Sequence, residues 1–219
     1  MRWALIGATL AFVLVVVAAC HREAPDACCQ HDRPSAAAPA TPPPSAEAAP
    51  SAPLDGASVY QLDGAFTDQD EHPFHLVSLR GSPVLVLMFY GSCTAVCPIL
   101  IGEAVRIDQA LSEDERARLR VVLVTFDPEN DTAERLRTLA AERALPMPRW
   151  SFLRGDDDAI RELAMAIGVQ YRRTGDGEFV HSALVTLLDP EGRIAAQAEG
   201  VDAPIEPIVA RTRELLAQP

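Results

Sequence analysis

The sequence predicts an α/β fold, a mixed sheet with helices on both faces, and three observations carry that expectation. Two runs without a polar face, PVLVLMFY (83–90) and VVLVTF (121–126), have the length and apolarity of strands covered on both sides. Stretches with helical spacing alternate with strand-like runs from there to the C-terminus, the order that builds a sheet between helical layers. Near the end, SALVTLLD and RIAAQAEG stand on either side of a Pro190-Glu191-Gly192 turn, a hairpin that adds antiparallel strands to the set.

In chain order, residues 58–217 supply one domain's worth of elements, enough to bury a substantial core. AFTDQDEHPFHLVSLRG (65–81) alternates apolar and polar residues around the turn-rich DQDEHP, which predicts a short N-terminal hairpin added to the sheet. His72 and His75 flank Pro73 there and are expected at the surface, whereas Met88 in the next strand belongs to the core. Pro98 suits a first helical turn, where its missing N–H costs nothing, and ILIGEAVRIDQAL (99–111) continues with helical spacing. VVLVTF leads into DPENDTAERLRTLAAER, a capped amphipathic helix, and WSFLRG (150–155) reads as another strand. DDDAIRELAMAIGV opens with three acids, which suit the positive end of a helix dipole. After the closing hairpin, a last helix is expected over about Ile205 to Ala217, and no internal repeat is present.

The N-terminal part has a different character. Arg2 precedes the apolar run LIGATLAFVLVVVAA, which stops at Cys20 in the manner of a secretory signal. The run is shorter than the roughly 20 apolar residues of a membrane-spanning helix and is followed at once by polar residues and prolines. Its end, Val17-Ala18-Ala19-Cys20, resembles the bacterial lipobox, in which the cysteine is acylated and becomes the first mature residue. That resemblance implies a signal peptide over 1–19, lipid on Cys20, and a protein held at a membrane in the cell envelope, facing the periplasm or the exterior. An uncleaved signal anchor is the alternative, and it too implies export. Residues 20–57 are mostly Ala, Pro, Ser and Thr (ATPPPSAEAAPSAP), too poor in apolar side chains to offset the entropy of ordering. They read as a disordered tether with polyproline II character, reaching on the order of 100 Å when extended, ahead of a folded domain over 58–219. The net charge is −12, and Arg2 is the only charged residue of 1–19, so the exported part stands at −13. Nucleic acid is not an expected partner of so acidic a chain.

Five cysteines are present, and with lipid on Cys20 four remain: Cys28, Cys29, Cys93 and Cys97. Exported thiols are normally oxidised or metal-bound. In GSCTAVCPIL (91–100) Cys93 and Cys97 fall at a strand-to-helix junction, where unpaired N–H groups and the helix dipole favour thiolate over thiol. Three intervening residues allow one cysteine to lie in the loop and the other to start the helix, both sulfurs converging on a third atom. The spacing alone does not choose between a disulfide and a chelate. An inert disulfide closing so small a loop would add little stability, which favours reactive use. In CHREAPDACCQH, Cys28, Cys29 and His31, with His21, form a cluster that could capture metal and feed a folded site; incidental linker residues, or thiols oxidised between molecules, are the plainer reading.

These residues resemble the Sco/SenC family of copper chaperones, thioredoxin-like proteins that serve cytochrome oxidase assembly. The likeness runs over most of residues 60–217 and rests on RGSPVLVLMFYGSCTAVCP, VTFDPENDTAERL and His181 in FVHSALVTLLDPEG. It implies a thioredoxin-like mixed sheet and assigns Cys93, Cys97 and His181 as copper ligands. Soft thiolates suit Cu(I) and imidazole is a good copper ligand, so the trio is chemically sensible for Cu(I), Cu(II) or both. A closed structural zinc site usually has four ligands. Without the family, His181 is a lone histidine before an apolar strand, more often packed than ligating. Asp127, in the family's Asp-Pro, is expected beside the metal loop without binding the ion, or at a partner contact. This chain departs from the family at Gly91, Ser92, Thr94, Ala95 and Val180, where aromatic, proline or aspartate residues are common.

Two functions follow from the resemblance. The first is a metallochaperone, not an enzyme, which passes copper by ligand exchange to the copper-receiving subunit of cytochrome oxidase, with other copper chaperones as further partners. The second is a thiol-disulfide oxidoreductase in which Cys93 and Cys97 are the catalytic pair, keeping the oxidase copper-site cysteines reduced, itself served by thioredoxin-like reductants. A peroxiredoxin relative would share the fold, but its threonine is expected three residues before the reactive cysteine, where Tyr90 precedes Cys93.

Overall fold

The computed structural model describes residues 56–175 and 177–218. Cys20, Cys28, Cys29, His31 and the expected signal segment lie outside the described residues, as does nearly all of the tether.

The N-terminal hairpin is β1 (Phe66–Asp68) and β2 (Pro73–Phe74), and the run at 83–90 becomes β3 (Val84–Phe89). All six β3 residues are buried. Because neighbouring side chains on a strand point to opposite faces, that pattern means both faces of β3 are covered, as its unbroken apolarity predicts. Helix α1 (Val96–Gln109) follows, and then a short helix α2 (Glu113–Arg118) that the sequence reading did not resolve. Its signal is present: Ser112 accepts from the Glu115 amide while the Glu115 side chain accepts from the Ser112 amide, the reciprocal cap that begins helices. Next come β4 (Arg120–Thr125), α3 (Ala133–Glu142), β5 (Trp150–Gly155) and α4 (Asp157–Ala166). Asp156, Asp157 and Asp158 start α4 as expected, Asp156 as the cap accepting from the Ala159 amide.

A second hairpin, β6 (Tyr171–Arg173) and β7 (Phe179–His181), was not foreseen. The closing hairpin is β8 (Leu184–Leu188) and β9 (Ile194–Glu199), and the last helix, α5 (Glu206–Leu216), falls within a residue of its expected bounds. The main sheet runs β2-β1-β5-β4-β3-β8-β9. β3, β4 and β5 are parallel, and the two hairpins add antiparallel strands at either side, so the sheet is mixed as expected. β6 and β7 pair only with each other.

Helices α1 and α5 touch each other, α1 over β3 and β8 and α5 over β9, while α4 lies against β5. The core centres on Leu85, Leu87, Phe89, Leu123, Trp150 and Phe152, all essentially without solvent contact. Phe89 and Phe152 meet edge to face at 5.4 Å, the arrangement aromatic pairs prefer. Met88 is core and His72 and His75 are exposed, as the sequence suggested. Before the sheet, Val59 donates its amide to the Gly192 carbonyl at 3.0 Å, tying the domain's first residues to the β8–β9 turn. Gly192 has φ +81°, and a Cβ there would come within 2.6 Å of the Tyr60 ring.

One buried charge on α1 has a measurable consequence. Glu103 is 3 % exposed, and its Oε1 accepts from the Asp202 amide at 2.9 Å. Burial pushes its carboxyl pKa up, only partly offset by that hydrogen bond. A raised folded-state pKa means Glu103 favours folding fully below its unfolded value of about 4.3, and that contribution is lost as pH rises through the folded value. Glu103→Gln keeps the acceptor and removes the ionisation. It is expected to be more stable than the unaltered protein at pH 7, with the difference closing below about pH 4, read by denaturant unfolding across pH.

Candidate metal centre

β3 and β4 are adjacent and parallel, so the loops leaving their C-terminal ends lie side by side, the common place for sites on open α/β sheets. Phe126 donates its amide to the Phe89 carbonyl at 2.8 Å, extending the pairing past both strands. Residues 90–95 then carry Cys93 into α1, and 126–132 lead to α3.

Gly91 joins these loops. Its amide reaches both carboxylate oxygens of buried Asp131, at 3.1 and 2.9 Å, and the Thr125 hydroxyl donates to the same carboxylate. A Cβ on Gly91 would lie 2.2 Å from Asp131 Oδ1, so only glycine lets the carboxylate approach. Arg135 adds a hydrogen bond to the Gly91 carbonyl at 3.2 Å. The glycine that reads in the sequence as a departure from the family is thus the fixed base of the cysteine loop.

Cys97 and Pro98 are both in the first turn of α1, which begins at Val96, as the sequence suggests. Ala95, the residue before α1, makes no side-chain cap. Instead the Cys97 amide donates to Cys93 Sγ at 3.3 Å, so the loop sulfur caps the helix. Burial opposes a Cys93 thiolate, but hydrogen bonds from Cys97 and the Ala95 backbone help to outweigh it and bring the pKa below the ordinary value. Cys97, 2 % exposed, goes the other way, its thiol pushed up by burial and by the neighbouring Cys93. The helix terminus therefore favours thiolate on the cysteine outside the helix, because that sulfur is the one facing the free N–H.

His181, the last residue of β7, completes the group. Its Nε2 lies 3.4 Å from Cys97 Sγ. Its Nδ1 is 2.9 Å from the Ser182 carbonyl, an oxygen that can only accept, so Nδ1 carries the proton and Nε2 turns a lone pair toward the sulfurs. The ring rests against Phe126, at 4.9 Å between centroids, and edge-on to Tyr90 at 6.2 Å. Tyr90 in turn donates its hydroxyl to Glu178 at 2.8 Å. Phe179 and Tyr171 extend the aromatic wall against Phe126, the latter stacked at 4.9 Å.

The two sulfurs and the imidazole nitrogen all lie within 4.8 Å of one another. An ion with bonds of about 2.0 Å to nitrogen and 2.3 Å to sulfur, held by three donors in a plane, needs them roughly 3.7 to 4.0 Å apart. The observed separations, 3.4 Å from Nε2 to Cys97 Sγ and no more than 4.8 Å for any pair, bracket those values, and two sulfurs with one imidazole favour a soft metal. Cys93 and Cys97 are free thiols here.

Asp127 does not join the group. Its buried carboxylate accepts from Asn130 at 3.0 and 2.8 Å and pairs with Arg173 at 2.6 Å. Thr94 corrects the peroxiredoxin comparison, since it does stand three residues before Cys97. Cys97 is nevertheless the buried cysteine with the raised thiol pKa, the opposite of an exposed peroxide-reactive thiolate. Missed in the sequence were Tyr90, Asp131, Arg173 and the β6–β7 hairpin. Its available signal was YRR and FVH around the turn-rich TGDGE.

Comparison with known proteins gives the family and the fold. A sequence profile of the SCO1/SenC family matches residues 55–217. The SCO1 protein homolog of Bacillus subtilis is 26% identical over 140 residues, 63% of this chain and 72% of that protein. Among solved structures, copper-bound ScoI of Bradyrhizobium japonicum aligns with TM-score 0.56 at 24% identity, over 69% of this chain and 96% of that one. BsSco, described as a member of the Sco family of cytochrome c oxidase assembly proteins, aligns with TM-score 0.62 at 23% identity, over 76% of this chain and 99% of its own. The likeness of fold bears out the thioredoxin-like expectation.

Proposed function

The chain belongs to the SCO1/SenC family, and from that premise we propose that it binds copper through Cys93, Cys97 and His181 and serves in cytochrome oxidase assembly as a copper carrier. The observation that carries the reading is the convergence of the three donors within 4.8 Å, with the imidazole's proton held on Nδ1 by the Ser182 carbonyl. The copper-bound relative supports the choice of metal, and the assembly role of the Sco family supports the setting. Three donors leave the ion open on one side, so a recipient ligand can bind before a donor thiolate leaves. In this role copper is cargo, and the recipient is the oxidase's copper-receiving subunit.

Anaerobic titration of the reduced chain carrying Cys28→Ser and Cys29→Ser, against a competing Cu(I) chelator, tests the assignment. One copper per chain is expected, lost when either Cys93 or Cys97 becomes serine. Tight binding that survives both replacements would remove the thiolates from the site.

A second reading, disulfide reduction, is favoured by the asymmetry of the thiols. Cys93 is the half-buried, thiolate-prone sulfur and Cys97 the buried, protonated one. Cys93 would attack a partner disulfide and release one partner thiolate; Cys97 would then attack the mixed disulfide, giving a Cys93–Cys97 disulfide and a fully reduced partner.

The protein's proposed place is the cell envelope, anchored by lipid on Cys20. Cys20→Ala should shift it from the membrane fraction, and unchanged retention would sink the anchor.

A further inference from the structure

We propose that the Asp127–Arg173 ion pair is a latch that positions His181 against the two thiols, an inference that rests on the metal-site reading above. The hairpin carrying His181 has no backbone pairing to the main sheet. Beyond the two-residue link from His181 to β8, where the Ala183 carbonyl accepts from the Gly200 amide at 2.8 Å, its placement depends on side chains. In its register Tyr171 faces His181 and Arg173 faces Phe179. Alternation along a strand puts these four on one face, while Arg172 and Val180, the latter 60% exposed, take the other.

The anchor is stiff. Asp127 has a side chain 5% exposed, its carboxylate is held by Asn130, and its amide donates to Thr125 Oγ1 at 2.9 Å. Arg173 reaches it at 2.6 Å and lays its guanidinium 4.9 Å from the centre of the Phe179 ring. Phe126, the residue before Asp127, is the surface on which the His181 imidazole rests. One dipeptide thus supplies both the floor beneath the ligand and a tie for its hairpin, beside the hydrogen bond from Tyr90 to Glu178. Arg173 is two residues from the cross-strand partner of His181, roughly 7 Å along the strand, and metal bonds tolerate only about 0.2 Å of error. A small slide of the hairpin would move Nε2 out of reach of an ion held by the sulfurs. Neither Asp127 nor Arg173 is a donor to the ion; their role is positional.

The test uses Arg173→Ala and Arg173→Lys in the full chain, with two readouts. In the metal-free protein, amide hydrogen exchange over 171–181 should accelerate roughly tenfold in Arg173→Ala while β3 and β4 stay protected. In chelator competition, copper affinity should fall about 10- to 100-fold, the usual cost of losing a residue that orients a ligand, with partial recovery in Arg173→Lys. In a His181→Ala background, Arg173→Ala should change the residual affinity less than about twofold, because the residue acts through the histidine. Three results would overturn the latch: unchanged exchange and affinity, an equal loss in both backgrounds, or exchange rising through the whole sheet. Should the unaltered chain take up no copper, the metal reading fails instead, and exchange in the metal-free protein decides the latch alone.

Discussion

Replacing His181 with alanine is expected to abolish tight copper binding and to leave disulfide exchange at Cys93 and Cys97 nearly unchanged. The imidazole is the only nitrogen donor brought to the sulfurs in this group, so without it two thiolates remain, one of them on a sulfur whose burial resists deprotonation. Altering a residue that merely orients a ligand costs up to about 100-fold in affinity, and loss of the ligand itself should exceed that. Thiolate character at Cys93 comes from hydrogen bonds of the Cys97 and Ala95 backbone, neither of which the substitution removes. Chelator competition and the rate of reaction with a model disulfide measure the two separately. If both properties survive, the imidazole is no ligand; if both vanish with the fold intact, metal and redox chemistry are not separable in this site.

The second large effect is on folding. Gly91→Ala is expected to destabilise the domain by about 2–4 kcal/mol and to loosen the cysteine loop. The new methyl would sit 2.2 Å from Asp131 Oδ1. The carboxylate must then withdraw from the Gly91 amide and disturb its hydrogen bond with Thr125. Losing buried hydrogen bonds of this kind costs about 1–3 kcal/mol each, on top of the steric cost. For a domain of this size the midpoint of thermal unfolding should fall by roughly 5–15 °C. A shift below about 2 °C would mean that the backbone yields at Gly91 and that Asp131 does not fix the loop.

Legibility from sequence followed the range over which a signal acts. β3 is readable because it is an unbroken apolar run and β4 because its residues 121–124 form one, and burial on both faces is what such a run requires. Cys93 and Cys97 are readable as a pair because four residues of chain cannot carry them far apart. The α2 cap, Ser112 with Glu115, is a local signal three residues long and is readable in principle. β6 and β7 leave only a weak signal, the turn-rich TGDGE between YRR and FVH, since each is only three residues long. Such strands have no propensity of their own strong enough to announce them and exist through packing on Phe126 and the tie to Asp127. Asp131 reads as one more acid near a helix start; its role as the acceptor for Gly91 becomes visible only when the two loops are adjacent.

By itself the sequence determined the layered α/β class, the order of its main strands and helices, and the pairing of two thiols at a strand-to-helix junction. Those features follow from local patterns of apolarity, capping and spacing. Tertiary structure decided which of the two thiols ionises more readily, why position 91 must be glycine, and that His181 comes to lie 3.4 Å from Cys97, a residue 84 positions earlier in the chain. The reason is physical: a pKa, a close approach and a ligand set depend on groups that meet only after β3, β4 and the β6–β7 hairpin have packed, and no local pattern records those meetings.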